Sequence, residues 1–554
     1  MGAWRRLTRR IAATRDGVIR WARMPPSAPP GRRRFVVVQI DGLSHGTLQR
    51  ALARGRMPTT ARLLDRGELR LCRIPVGLPT STAAFQAAVM YGRPVDIPAF
   101  EFLDKRTGDY LWFPRPWASA RVEEAHAAGR RGIMAGGRTY GCIFGGGAAD
   151  TVLTFAHLLR PWPLWGRIGL RARVFPYLLL AWVTVKILLE TLVRGVGWLG
   201  RTLRDFSLGR PLPSPTRWLV RLLISGGLRE LFTLSVTADI YAGVPALYVN
   251  FLDYDVPAHA VGPEHRAAVR TLRYVDTSIR EIWQAVRRVP EHAYDLFILS
   301  DHGQVPSVPF ATVAGPVPVA EAVLGTFAPP ADSAASPAPT VREMVHPVAP
   351  PLWPLAPIWQ QHLTYLEPRS RERNAVWAGD LCVVPAGPNL NLYLTDVPGH
   401  APVEAIERRY PGALGRLSRH PGIGFVLARD ATGSVCYYRE AVLRIPPPPG
   451  PTGCPLFDRP DRDLVVQGLQ DLLAMPSAGD VMAFGHYNPR GCVSFLNERG
   501  SHAGPSEAEL YGFVLAPSDV KFDFEAISRP TELYPLFVGY QMEPERATET
   551  EWGR

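Results

Sequence analysis

Three stretches of this chain end an apolar, strand-like run in a carboxylate. RFVVVQIDG (34–42) runs into Asp41 and Gly42, PALYVNFLDYDVPAH (245–259) into Asp255 with His259 four residues on, and FILSDHG (297–303) into Asp301, His302 and Gly303. Runs this apolar read as strands of a parallel sheet covered on both faces, with periodicity alone leaving a buried helix open. In open α/β sheets, chemistry collects where strands end at their carboxyl edge. An acid beside an imidazole supplies one hard oxygen and one borderline nitrogen, a pair suited to zinc or manganese. Taken singly, Asp-His-Gly in a turn is a helix cap or a surface loop. Three such endings in one chain are hard to explain by solubility.

The rest of the pattern fits a doubly wound sheet. After Asp41, SHGTLQRALARGRMPTTARLLDRG reads as helix, turn and helix. EHRAAVRTLRYVDTSIREIWQAVRR sets Leu272, Val275, Ile279, Ile282 and Val286 on one helical face and leads into FILSDHG. In IPVGLPTSTAAFQAAVMYG, the hydroxyls of Thr80, Ser81 and Thr82 precede a small-residue helix from about Ala83. They read as helix caps, or as a nucleophile facing a phosphoryl group held by free N–H groups. The glycine-rich 132–150 lacks the lysine and spacing of a phosphate-binding loop and reads as close backbone packing.

With 554 residues, 46% hydrophobic and 20% charged, the chain has room for one large catalytic domain with insertions. The net charge of +12 is uneven: residues 1–34 hold ten arginines against Asp16 alone. That arm, with the Pro-rich linker closing at residue 33, suits an anionic membrane surface or stands as a solvated tail. No recognition helix or aromatic platform accompanies it, so nucleic acid is the weaker partner. Lysines number three, and the arginine bias reads as coding in a GC-rich genome. Six scattered cysteines without a CxxC pair read as buried thiols of a reducing compartment. The N-terminus lacks the apolar core of a signal peptide, which points to a cytoplasmic protein, peripherally or integrally membrane-associated. Segment 153–234 reads as a helical insertion. Its apolar core at 174–193 is broken by Lys186 and Glu190, and suits an in-plane membrane helix or a buried hairpin over the site. A Pro/Ala-rich insertion is expected at 310–375 and a small α+β cap at 385–475. A lone histidine, His502, sits in a GSHAG turn.

Set together, QIDG, PTST before a helix, DYDVPAHAVGP, SDHG and GSHAG resemble the alkaline phosphatase superfamily, most closely its type I phosphodiesterase/nucleotide pyrophosphatase branch. The resemblance implies an α/β fold over 34–545, a mostly parallel sheet with helices on both faces. It implies a hydrolase of phosphate esters with two divalent metals, zinc favoured and manganese the other candidate. One metal would sit on Asp41, Thr82, Asp301 and His302, the other on Asp255, His259 and His502. Thr82 would be the nucleophile, with Ser81 its rival by register. The family's asparagine after the nucleophile is absent, and Gln86 stands nearby as the candidate to hold a phosphate oxygen. The alternatives are a phosphomonoesterase, a phosphoryl-group transferase, or a membrane scaffold without turnover.

Overall fold

A computed structural model describes residues 33–113, 115–158, 227–327, 374–488 and 491–541, together with position 17. The basic arm up to residue 32 (position 17 apart), the apolar segment 174–193 and most of the Pro/Ala-rich stretch (328–373) lie outside the described residues.

In chain order, β1 (Arg34–Ile40) is followed by α1 (His45–Ala53), α2 (Pro58–Asp65), β2 (Leu69–Pro75) and α3 (Thr82–Tyr91). Short strands β3 (Arg138–Tyr140) and β4 (Asp150–Val152) precede α4 (Arg229–Tyr241), β5 (Ala246–Phe251), α5 (Asp255–Val261), α6 (Arg266–Arg288) and β6 (Tyr294–Leu299). The last strand, β7, is Tyr511–Pro517. These seven strands form one sheet in the order β2-β7-β6-β1-β5-β3-β4. The β6–β1–β5–β3–β4 pairs are parallel, while β7 runs antiparallel to both its neighbours.

Alternate residues of a strand face opposite sides, and β1 shows both sides occupied. Phe35 and Val37 join a core with α3 residues such as Ala83, Ala87 and Met90. Val36, Val38 and Ile40 join the opposite core, with Leu48 of α1, Leu63 of α2, Ile240 of α4 and Leu272, Val275, Ile279 and Ile282 of α6. The apolar strand runs follow from burial on both faces. Because β6, β1 and β5 are parallel neighbours, their carboxyl ends emerge side by side, which places the loops of Asp301, Asp41 and Asp255 together.

A second sheet departs from the small cap expected at 385–475. It has seven antiparallel strands, in the order Val376–Ala378, Leu381–Ala386, Asn389–Leu394, Val481–Gly485, Ile423–Asp430, Gly433–Tyr438 and Ala441–Ile445. Strands Val376–Ala378 and Val481–Gly485 lie beyond the two ends of the expected span. The Pro/Ala-rich stretch also begins as structure: helices Phe310–Ala314 and Val319–Phe327 pack Phe310, Val323 and Phe327 into the core of this second sheet. The close-packing reading of the glycine-rich segment fits the backbone. A Cβ on Gly137 would lie 2.2 Å from the Ala246 carbonyl oxygen, so β3 approaches β5 with no room for a side chain. All six cysteines are free and buried. Among the described residues, no helix is long and apolar enough to cross a membrane.

Candidate active site

The carboxyl ends of β1, β5 and β6 bring six acid and imidazole side chains together with Thr82. Oxygen and nitrogen atoms of Asp41, Asp301 and His302 lie within 4.8 Å of one another, as do those of Asp255, His302 and His502. The structure thus differs from the expected partition: His302 stands in both groups, its ring stacked on His502 with centroids 3.7 Å apart. His259 joins through Asp255, its Nε2 3.4 Å from Oδ2, because the DxxxH spacing falls on the helical turn of α5. Its ring centroid is 5.0 Å from that of His502.

Each side chain is held by its outer atom. Asn250 Nδ2 donates to Asp41 Oδ2 at 2.7 Å, the Gly42 N–H donates to Asp301 Oδ1 at 3.2 Å, and Gln304 Nε2 donates to Asp255 Oδ1. The histidines repeat the arrangement through Nδ1. That of His302 donates to Gly303 O at 3.1 Å and that of His502 to Thr80 O at 2.7 Å. His259 Nδ1 faces Glu498 Oε2 and Gly500 O, both at 2.9 Å. With each Nδ1 engaged, Nε2 is the nitrogen each ring has left to offer; for His259, burial opposes the charge, yet Asp255 and Glu498 raise the imidazole well above its usual value, so a metal there would displace a proton. Of the second carboxylate oxygens, Asp41 Oδ1 accepts from Thr82 Oγ1 at 3.4 Å, Asp255 Oδ2 faces His259 Nε2, and Asp301 Oδ2 is buried without a hydrogen-bond partner.

Electrostatics point the same way. Burial, with the charges of Asp301 and Asp255, raises Asp41 well above the ordinary carboxylate range, and burial also raises Asp301. Burial likewise opposes the charge of Asp255, yet His259, His502 and His302 hold it well below that range. His502 is pushed well below the usual imidazole value by burial and by the two neighbouring histidines. A neutral imidazole is the ligating form. Buried carboxylates need pairing with cations or metals. The unpartnered Asp301 oxygen and the mixed nitrogen and oxygen donors fit divalent ions.

The three hydroxyls before α3 divide their work, and none caps the helix. Ser81 occupies the N-cap position in extended conformation without a side-chain cap bond, and its buried Oγ has no partner. Thr80 Oγ1 accepts from the Ala503 N–H at 3.0 Å, tying the turn to the His502 loop. Thr82, the first residue of α3, sets its Oγ1 3.1 Å from His302 Nε2 and 3.4 Å from Asp41 Oδ1. Gln86 is held at both ends of its amide. It is fully buried, its Nε2 donates to Gln39 Oε1 at 3.1 Å, and its Oε1 accepts from the Ile143 N–H at 2.8 Å. These bonds fasten α3 to β1 through Gln39 and to the Ile143 backbone beyond β3.

Sequence reasoning passed over Asn250, Gln304 and Glu498. Asn250 carried a signal, being the one amide in the apolar run of β5. Gln304 follows SDHG directly, and Glu498 lies four residues before His502, but neither position marks a role by itself.

Residues 225–401 match the family model described as type I phosphodiesterase / nucleotide pyrophosphatase. No curated protein sequence matches the chain. Solved structures of phosphonoacetate hydrolase from Sinorhizobium meliloti 1021, in complex with phosphonoformate or phosphonoacetate, align over 93% of this chain and 96% of theirs. Identity is 13% in both cases, and the TM-scores are 0.44 and 0.43. The residues 225–401 that are similar to the type I phosphodiesterase / nucleotide pyrophosphatase family carry Asp255, His259, Asp301 and His302, four of the six acid and imidazole side chains gathered at the sheet edge.

Proposed function

We propose that this protein is a phosphodiesterase or pyrophosphatase that uses Thr82 as nucleophile and two divalent ions, zinc favoured. The observation that carries the reading is the convergence of the inner donor atoms: six side chains are pinned from outside, and Asp41 Oδ1 and His302 Nε2 lie against the Thr82 hydroxyl. Asp41, Asp301 and His302 would hold one ion, and Asp255, His259 and His502 the other, with His302 close enough to Asp255 and His502 to bridge the two groups. When bound, such ions lower the pKa of a coordinated hydroxyl and neutralise charge on phosphoryl oxygens.

The chain supplies position. Thr82 begins α3, so free N–H groups of the first turn and the positive end of the helix dipole face a phosphoryl group at the site. Thr82 Oγ1 attacks phosphorus in line, forming the Oγ1–P bond as the ester P–O bond breaks. Water then displaces the threonine oxygen by the same path. Ser81 Oγ contacts none of the ligands, which favours Thr82. Residues 34–545 would form the catalytic unit, and the arginines of the N-terminal arm would bind an anionic membrane surface.

Two in-line displacements leave phosphorus with net retention of configuration. A chiral phosphorothioate diester turned over by this enzyme should retain its configuration. Inversion would mean that water attacks directly and that Thr82 serves only as a ligand. The same purified protein, screened against diesters, monoesters and pyrophosphates, would define the substrate class.

A further inference from the structure

We infer that Glu498 is the positioning residue of the second metal group, fixing the ring plane of His259 so that Nε2 faces Asp255. The inference rests on the metal-binding reading above. His259 differs from the other two histidines of the site. His302 and His502 direct Nδ1 at backbone carbonyls, whereas His259 Nδ1 faces a carboxylate, Glu498 Oε2 at 2.9 Å, as well as the Gly500 carbonyl. The Gly500 carbonyl only accepts, so Nδ1 carries a hydrogen in this arrangement. The other nitrogen, Nε2, then lies on the inner side, 3.4 Å from Asp255 Oδ2.

The other half of Glu498 explains why this carboxylate can aim. Its Oε1 accepts from Ser494 Oγ at 2.7 Å and from Ser501 Oγ. The Arg499 N–H donates to the His259 carbonyl at 2.8 Å, so the loop and α5 are joined by backbone as well as side chain. The β-turn at Gly387 of the second sheet closes over the same spot: a Cβ there would meet Ser501 Oγ at 3.4 Å and Glu498 Oε1 at 3.8 Å. A half-exposed histidine on a seven-residue helix has several rotamers open to it, and this carboxylate selects one. Carboxylate partners of ligating histidines fix orientation and raise basicity, and removing them typically weakens metal binding 10–100-fold.

The test compares wild type, Glu498→Ala and Glu498→Gln, each full-length, by zinc titration against a competing chelator and by the visible spectrum of the cobalt(II)-substituted protein. Wild type should hold two ions. Glu498→Ala should hold one with unchanged affinity and the other about 10–100-fold more weakly, with the cobalt bands of that ion altered. Glu498→Gln is the same size and can still brace the loop, and should fall between. Circular dichroism of the metal-free proteins should be the same for all three. Wild-type affinity for both ions in Glu498→Ala overturns the positioning role alone. Loss of the metal-free fold in both variants overturns it too, making Glu498 a loop brace. A wild type that binds no ion removes the metal reading itself.

Discussion

Gly303, which closes the SDHG motif, offers a direct test of how the site is held. Its φ lies outside the left-handed range, so any residue could adopt its backbone conformation; space is what excludes one. A Cβ at Gly303 would sit 1.8 Å from the Ala508 carbonyl oxygen, 3.0 Å from the carbonyl carbon and 2.5 Å from Ser44 Cβ. Ordinary non-bonded approaches are roughly 3.5 Å, so one backbone segment must retreat by about 1.5 Å. The retreat stretches the 3.0 Å bond from the Gly303 N–H to the Glu509 carbonyl. Overpacking costs about 1–3 kcal/mol and the lost bond about 1, so Gly303→Ala should destabilise by roughly 2–4 kcal/mol. The shift falls next to His302 and Asp301, so zinc affinity should drop as well. Gly325→Ala serves as the comparison: it lies inside the Val319–Phe327 helix with nothing within 4 Å, and should stabilise by about 0.5–1 kcal/mol. Urea denaturation of the metal-free proteins measures both. An unchanged midpoint for Gly303→Ala would refute the close approach of residues 303 and 508 and the reasoning built on it.

Thr82→Ala should abolish diester turnover while zinc content stays near wild type, Thr82→Ser should keep partial activity because its hydroxyl survives, and Ser81→Ala should be mild; single-turnover kinetics on the three variants decides. The Glu101 carboxyl is pushed up to about 7 by burial, against the bonds from Tyr110 and Asn374 that favour its charged form. Between the ordinary 4.5 and about 7 the folded chain keeps a proton that the unfolded chain releases, so this contribution is full below 4.5 and lost as pH rises through 7. Its size is on the order of 3 kcal/mol, and Glu101→Gln should flatten the fall in stability from pH 5 to 7 in denaturation midpoints. Deleting residues 1–30 should weaken co-sedimentation with anionic liposomes in a salt-sensitive way, and an intact protein that stays in the supernatant at low salt refutes membrane attachment through the arm.

The sequence by itself determined the frame of this protein. Apolar runs 34–40, 246–251 and 294–299 read as strands of a sheet covered on both faces, and a right-handed βαβ chain delivers their ends to one edge. Asp41, Asp255 and Asp301 are therefore legible as neighbours, and His259 follows from Asp255 by helical spacing alone. Tertiary structure decided everything that depends on contacts between distant segments. Thr80 meets His502 across 422 residues, His259 meets Glu498 across 239, and Asn250 meets Asp41 across 209. Contacts of this kind give the Thr80 and Thr82 hydroxyls different partners and leave that of Ser81 without one, set His302 between both ligand groups, and turn Gln86 into a fastener. The second sheet was also hidden, because antiparallel partners such as 389–394 and 481–485 pair across a long gap. A local pattern records which face a residue must bury, because burial acts on each segment in turn; which atom a side chain bonds is fixed only when separate segments are packed against one another.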